Sequence, residues 1–350
     1  MSDASLCIFC GAPLKEKARR CSSCSMQVEY LTTHFTPTET PDSPITDCAL
    51  SKKLIPLNRK RQLFFTLGII FFIPAFIIAT SRELHEYFDS FRLIPSMLLL
   101  FAVSSTSFYL SRQYTNKKKT LIGTHLLHAM LAEQFELYHF DPLAYFLVNE
   151  LNISQLRPGL WNATEGNDLF HASYRGVTFH FSNIRLFDDT QSRYRNSNWR
   201  LKGQWLILDL HKEIPAPLMI SELEHKGRMG KDAKIETGNP DFDKRFTVLC
   251  EHPAVVPQVL TGEFMEFLLH FDCIFAYNQR HIFFKENAVH IGIKSDRYLF
   301  SPWSYIRDIP ALRERILDEM DDIKKVIDGF LLINALFRTS VEQDFDKEEK

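Results

Sequence analysis

Two long apolar stretches dominate the hydrophobic pattern of the first third of the chain. Residues 63–80 read LFFTLGIIFFIPAFIIAT and residues 93–110 read LIPSMLLLFAVSSTSFYL, and neither stretch contains an ionisable side chain. A helix of this length covers about 27 Å, close to a hydrocarbon core of about 30 Å. The first stretch is apolar all round, whereas a helix in a soluble core normally keeps a polar stripe. We therefore predict a transmembrane helical hairpin over residues 62–111, retained in the mature chain because no cleavage pattern follows the first stretch.

Beyond the hairpin, the pattern first repeats with a helical period and then alternates. Apolar residues at spacings of three and four predict a helix over residues 120–150. From Leu169 the period is two, and the turn Arg175–Gly176 predicts a hairpin of strands with one face in water. Further strands are predicted at 199–211, 218–221, 246–250, 281–285 and 289–293, and helices with an apolar stripe at 260–271 and 312–331. Strands grouped before helices predict an α+β domain over residues 112–341, with a mostly antiparallel sheet and flanking helices.

The charge distribution predicts how the hairpin is oriented. The chain has 41 Lys and Arg against 43 Asp and Glu, a net charge of −2, but residues 1–119 carry a net +6 and residues 120–350 a net −8. The connector at 81–92 mixes both signs, whereas basic residues flank the two outer ends of the hairpin at Lys52, Lys53, Arg59, Lys60 and Arg61, and at Arg112, Lys117, Lys118 and Lys119. Because positive charge resists translocation, we predict a two-pass protein of the bacterial inner membrane with both termini cytoplasmic and the basic flanks near the lipid headgroups.

Four cysteines near the amino terminus have the spacing of a zinc site. They form two CxxC pairs, Cys7 with Cys10 and Cys21 with Cys24. Four thiolates suit a tetrahedral zinc ion with a closed shell, which makes the metal structural and not catalytic. The alternatives are two disulfides, which a reducing cytoplasm disfavours, and a thioredoxin-like redox site, which lacks a surrounding βαβ pattern.

The segment around these cysteines, LCIFCGAPLKEKARRCSSCSMQV, resembles the short zinc-ribbon modules at the ends of many prokaryotic proteins. Gly11 follows the first pair as in that family, while Arg20 and Ser25 depart from its pattern. We therefore predict a zinc ribbon over residues 1–30. A flexible linker rich in Thr, Pro, Asp and Ser is expected over residues 31–61, and a charged tail over 342–350.

Residues 117–337 resemble a bacterial family known as domain of unknown function 3137. The resemblance rests on NDLFHASYRGVTFHFSNIRL, GQWLILDLHK and NPDFDKRFTVLCEHPAVVPQVLTGEFMEFL. Members of that family often carry paired membrane spans or a zinc ribbon in front of this domain, which agrees with the present arrangement. Where the family frequently has a glutamate, this chain has Asn183. The resemblance implies a fold and no established activity, so it assigns no catalytic or cofactor-binding residue.

The residues offer one candidate for acid/base chemistry. Asp209 and His211 share a face of one predicted strand, and His180 lies on the polar face of another. Such pairs also arise by chance in a chain with 13 histidines, and no nucleophile elbow, glycine-rich phosphate loop or HExxH motif occurs. The net charge of −8 beyond residue 119 disfavours nucleic acid as a ligand.

The interpretation that remains is a membrane-anchored binding or scaffold protein whose ribbon recruits a protein partner. The alternative is a membrane-bound enzyme with hydrolase-like acid/base chemistry. Pro74 interrupts the first apolar stretch and frees a carbonyl, which favours packing of the two helices on each other or on further copies of the chain. A homo-oligomer is compatible with this pattern.

Overall fold

The computed structural model describes residues 46–80, 90–148, 150–151, 162–187, 199–210, 212–222, 234–250, 252–270, 277–300 and 308–333. The predicted zinc ribbon with its four cysteines, most of the connector of the hairpin and the charged tail lie outside these residues. The described chain forms two compact units. One comprises residues 46–127 and 308–315, and the other comprises 128–300 and 316–333.

The first unit is built on two long helices, α1 (Asp47–Thr80) and α2 (Ser90–Ile122). The structure thus has the two helices that the apolar stretches predict, each long and apolar enough to cross a membrane. Helix α1 begins at Asp47, so the prediction of a flexible linker is wrong for residues 47–61. Leu50 and Leu54 lie one turn apart and are 1% and 0% exposed. The burial of this apolar face stabilises the part of the helix that precedes the apolar stretch.

The two helices meet through small and polar residues. Ser104 Oγ donates a hydrogen bond to the carbonyl of Gly68 at 2.9 Å, and Ser111 Oγ donates one to the carbonyl of Arg61 at 3.2 Å. A Cβ at Gly68 would lie 2.8 Å from the ring of Phe108, so the glycine allows this close approach. The sequence-based expectation that the helices pack on each other is confirmed, and their hydroxyl groups face inward as is typical of helices in lipid.

Helix α2 continues through a π-helical turn (Gly123–Leu127) and a short helix α3 (His128–Gln134) into strand β1 (Glu136–Asp141). The prediction of a helix over residues 120–150 is therefore wrong beyond residue 134. The apolar spacing of three and four ends at Phe135, and the following segment pairs in antiparallel register with β2. Sheet pairing at this edge outweighs the helical signal of the residues before it.

The described residues of the second unit form a sheet of nine strands in the order β1-β2-β3-β4-β9-β8-β5-β7-β6, with all neighbours antiparallel. The strands after β1 are β2 (Ala163–Tyr174), β3 (Val177–Phe187), β4 (Trp199–Asp209), β5 (Leu218–Ser221), β6 (Lys234–Ile235), β7 (Thr247–Cys250), β8 (Tyr277–Lys285) and β9 (Ala288–Ser295). The prediction of an α+β domain with a mostly antiparallel sheet is confirmed. Arg175 and Gly176 have φ of 53° and 78°, the positive values that a two-residue hairpin turn requires.

Helices cover one face of the sheet. The remaining helical elements are α4 (Pro240–Arg245), a 3₁₀ turn (Pro253–Val255), α5 (Val256–Val259), α6 (Gly262–His270) and α7 (Ile309–Leu331). Phe264 of α6 and Phe284 of β8 contact Phe330 of α7, with ring centroids 5.1 and 6.2 Å apart. Phe170 and Phe179 of the hairpin pack edge to face at 5.7 Å. The aromatic residues therefore form the core between the sheet and its helices.

The opposite face of the sheet is also buried, against the prediction of a hairpin with one wet face. His180 is 4% exposed and Ser182 is 0% exposed. A second apolar cluster lies on this face and comprises Phe146, Leu151, Leu169, Ile184, Leu186, Leu201, Trp205, Ile207, Met219, Leu249 and Phe283. The polar residues of β3 are buried because the cluster covers the face toward which they alternate.

Candidate functional site

The register of the sheet brings four histidines into one row on the face of the second apolar cluster. His139 of β1 is paired with His171 of β2, and His171 is paired with His180 of β3. Ile207 of β4 continues the row and is paired with His180 on one side and His290 of β9 on the other. Directly paired residues project to the same face, so these side chains are neighbours. We call His139, His171, His180 and His290 the histidine row.

Two members of the row are in direct contact. The Nδ1 atoms of His171 and His180 lie 2.6 Å apart, and their rings meet edge to face with centroids 4.4 Å apart. The ring of His139 lies 6.0 Å from that of His171. Two imidazole nitrogens at hydrogen-bond distance share one proton, so one ring donates from Nδ1 and the other accepts there.

A carboxylate completes the contact series. Asp209 lies two residues beyond Ile207 on β4 and therefore faces the same side. Its Oδ2 is 3.7 Å from Nε2 of His180. Asp209, His180 and His171 thus form a continuous sequence of contacts across three strands.

Burial lowers the pKa of His139, His171 and His290. The pKa of His171 is held well below its usual value, first by burial and then by repulsion from His180 and His139. Burial lowers the pKa of His139 to about 4, although Asp141 acts in the opposite direction. Burial, followed by repulsion from Lys285 and His180, lowers the pKa of His290 to about 3. At neutral pH these three imidazoles are therefore uncharged, and each can donate a hydrogen bond from one ring nitrogen and accept one at the other.

The row is not arranged as a metal centre. Among the residues that the structure describes, no group of three His, Cys, Asp or Glu side chains could hold a metal ion. The 2.6 Å between the two Nδ1 atoms is also shorter than the roughly 3.3 Å that separates two ligands of a tetrahedral ion with bonds of about 2.0 Å. The chemistry available to this arrangement is proton transfer.

The structure unites two of the three residues chosen from the sequence for acid/base chemistry. Asp209 and His180 are neighbours, and His211 lies outside the described residues. Sequence reasoning missed His139, His171 and His290. The signal for His171 was available, because it and His180 are equidistant from the predicted turn Arg175–Gly176 and must be paired in a two-residue hairpin. His139 was missed because its segment was predicted to be helical.

Asn183, named above as a departure from the resemblance, is held by hydrogen bonds from both ends of its amide. Its Nδ2 donates hydrogen bonds to Oδ2 of Asp168 and to the carbonyl of Leu299, both at 2.9 Å. Its Oδ1 accepts one from the backbone N–H of Leu299 at 3.0 Å. A carboxylate could not donate to the Leu299 carbonyl, so the amide is needed to hold the segment after β9 to β3. Asp168, the acidic partner of this amide, has a backbone φ of 60°.

A buried ion-pair cluster joins the sheet to α6 on the other face. Arg280 of β8 donates from Nη2 and Nε to the two oxygens of Glu222, at 2.9 and 3.0 Å. Arg245 also donates to Glu222, at 2.8 Å. Burial alone would raise the pKa of Glu222, but the hydrogen bonds from Arg280 and Arg245 outweigh it and hold the pKa below its usual value. Every charge of the cluster is paired, which marks it as structural.

Comparison with known proteins supports the resemblance noted from the sequence motifs over part of its range, which includes the second and third motifs. The model of the family described as "Protein of unknown function (DUF3137)" matches residues 200–332, a range that includes Asp209, His290 and helices α6 and α7. No curated protein matches the chain. Among solved structures, the crystal structure of the mycobacterial trehalose monomycolate transport factor A, TtfA, is similar with 8% identity and a TM-score of 0.30, over 58% of this chain and 89% of that chain.

Proposed function

We propose that this chain is a membrane-anchored binding protein, in which the α1–α2 hairpin holds the α+β unit at the cytoplasmic face of a bacterial inner membrane. The observation that carries the proposal is that the hairpin exposes apolar side chains and buries polar ones. Only 11% of the apolar window of α1 and 17% of that of α2 and its continuation is buried. Leu99 is 66% exposed and Phe76 is 54% exposed, while Ser104 is 1% exposed. A core helix of a soluble protein would be mostly buried, so lipid is the medium that suits this surface.

The proposed orientation is tested with single cysteines in an otherwise cysteine-free chain. Cys48 is exposed at the start of α1, and Ser81→Cys supplies a thiol in the connector. We expect a membrane-impermeant maleimide to label position 81 in spheroplasts and to label Cys48 only after lysis. The reverse pattern would contradict the orientation, and equal labelling of both positions before lysis would contradict a spanning hairpin.

The proposal includes a zinc ribbon that recruits a protein partner. Its basis is the spacing of Cys7, Cys10, Cys21 and Cys24, which would hold one zinc ion through four thiolates and order a segment too short for its own core. Metal analysis of the purified full chain is expected to give one zinc per chain. Cys21→Ser/Cys24→Ser should lose it, while Cys48→Ser should keep it. Zinc retained in the double variant would refute the ligand assignment.

Recruitment is tested in cells with the same pair of variants. The bound ribbon and the α+β unit are carried on one membrane anchor, so a partner of either is kept at high local concentration. Cross-linking in cells, followed by mass spectrometry, should identify a partner that is lost in Cys21→Ser/Cys24→Ser and retained in Cys48→Ser. A set of cross-linked proteins that is identical for the two variants would count against recruitment by the ribbon.

A second candidate function, an acid/base enzyme, is favoured by the contacts among Asp209, His180 and His171. The test is turnover of a panel of esters by the purified full chain without a partner. Asp209→Asn should lower kcat at least about tenfold if the carboxylate stabilises the protonated histidine, whereas Asp296→Asn, at an exposed position, should not. No turnover, or equal rates for the two variants, would remove this candidate.

A further inference from the structure

We propose that the hairpin carries a binding site for the phosphate group of an anionic phospholipid, formed by Lys60 of α1 and by Tyr114 and Lys117 of α2. This inference rests on the proposed insertion of the hairpin in a membrane. It goes beyond a general attraction of basic flanks to lipid, because it assigns the headgroup to one cluster of side chains. We call these three residues the Tyr114 cluster.

The Tyr114 cluster brings two ammonium groups from different helices to one ring. Nζ of Lys60 lies 5.8 Å from the centroid of the Tyr114 ring, and Nζ of Lys117 lies 5.7 Å from it. The ring of Phe64 stacks on that of Tyr114, with centroids 5.6 Å apart and an angle of 6° between the planes. The stacking holds the ring in place, and the ring keeps one ammonium group from each helix beside it.

The cluster lies at the level expected for lipid headgroups. Ser111 Oγ bonds the carbonyl of Arg61 at 3.2 Å, which sets Arg61 beside Ser111. Lys60 and Tyr114 are therefore just past the apolar stretches of their helices. Tyrosine is enriched at this depth because its ring is apolar and its hydroxyl remains in water.

No acidic residue lies near these cations in the sequence of α1 or α2. The sequence has no Asp or Glu between Asp47 and Glu83 and none between Asp89 and Glu133. Asp47 is itself paired with Arg313 at 2.9 Å. An anion bound at the cluster would relieve the repulsion between the ammonium groups of Lys60 and Lys117.

The surface beside the cluster favours a lipid over free phosphate. Leu63, one turn from Lys60 on the same side of α1, is 57% exposed, and Phe65 on the adjoining side of α1 is 51% exposed. A phospholipid can place its phosphate between the two lysines and its acyl chains along these apolar side chains. Inorganic phosphate would gain only the first of these contacts.

The test uses the full chain in mixed detergent micelles, with native mass spectrometry to count retained lipids. The wild type should retain phosphatidylglycerol in preference to phosphatidylcholine. Lys60→Gln/Lys117→Gln should lower the affinity for phosphatidylglycerol at least about tenfold. The matched control Lys52→Gln/Lys53→Gln removes the same charge from exposed positions of α1 outside the cluster and should lower it less than about twofold. Tyr114→Phe should retain binding, and Tyr114→Leu should weaken it.

Several outcomes would overturn the inference. Equal losses in the two double variants would indicate diffuse charge attraction and no site. Equal retention of the two lipids would exclude recognition of the anionic phosphate, and displacement of phosphatidylglycerol by millimolar inorganic phosphate would identify a free-phosphate site. A chain that is extracted from membranes without detergent would instead refute the proposed anchoring, so the two failures are distinguishable.

Discussion

Replacing Arg280 by methionine tests the structural role of the buried ion-pair cluster. The Arg280 side chain is 1% exposed and that of Glu222 is 13% exposed. Methionine keeps much of the length of arginine and removes its charge and donors. Glu222 then loses two of its hydrogen bonds, and the carbonyl of Leu268 loses the one it accepts from Nη1 at 3.1 Å.

The expected loss of stability follows from the partners that remain. Removing one member of a buried ion pair costs about 3–5 kcal/mol because the other charge is left without compensation. Arg245 still lies 2.7 Å from Glu222 and is 29% exposed at its side chain, which places the cost near the lower end, about 3 kcal/mol. At about 2–4 °C per kcal/mol for a domain of this size, Tm should fall by about 6–12 °C.

The assay is thermal unfolding of the full chain in detergent at pH 7, followed by tryptophan fluorescence. Trp205 is 0% exposed and reports on the core of the sheet. The matched control is Lys244→Met, because Lys244 and Asp241 form a pair whose side chains are 77% and 81% exposed. An exposed pair contributes about 0.5 kcal/mol or less, so Tm should change by no more than about 2 °C.

The pH dependence gives a second check. The pKa of Glu222 is lowered in the folded state, so the stability it contributes is present above its unfolded pKa of about 4.3 and is lost as the pH falls through the folded value. The difference in Tm between wild type and Arg280→Met should therefore shrink in acid. An Arg280→Met variant that melts within 2 °C of wild type at pH 7, or that loses no more than Lys244→Met, would refute the reasoning.

Three further predictions concern the histidine row, the hairpin and the Asn183 contacts. The folded pKa of His139 is about 4, so the unfolded state binds its proton first, and His139→Gln should reduce the loss of stability between pH 6.5 and pH 4 by up to about 1.4 kcal/mol per pH unit, measured by urea unfolding; an unchanged slope would contradict the assignment. Gly68→Val should cost about 1–3 kcal/mol of helix packing through overlap with the facing ring, seen as weaker cysteine cross-linking between α1 and α2, whereas Ile70→Val, at a site 54% exposed, should have no effect. Asn183→Asp should lower stability by about 2–3 kcal/mol at pH 7, because the Leu299 carbonyl loses its donor and a second carboxylate is buried; a variant as stable as wild type would show that the amide is dispensable.

Features fixed by local pattern were predictable from the sequence. The apolar stretches at 63–80 and 93–110 predicted the helical hairpin because nearly every residue carries the same signal. The strand pair around Arg175–Gly176 was predictable because a two-residue turn of this kind sets both conformation and register. Strand β5 has the predicted bounds because it is a short apolar run between turns.

Features that depend on distant partners were not predictable from one sequence. Strand β1 follows a helix directly, and its pairing with β2 decides its conformation. The alternation in β3 indicated a wet face, but the second apolar cluster that buries it is assembled from segments scattered between Phe146 and Phe283. The row of histidines could be predicted only as far as His171 and His180, since His290 reaches it through the pairing of β4 with β9.

The most direct test of membrane anchoring is alkaline carbonate extraction of membranes from bacteria that express the full chain. The exposed apolar surface of α1 and α2 predicts that the chain stays in the membrane pellet at high pH and high salt and is released only by detergent. Recovery of the chain in the aqueous supernatant without detergent would contradict the account.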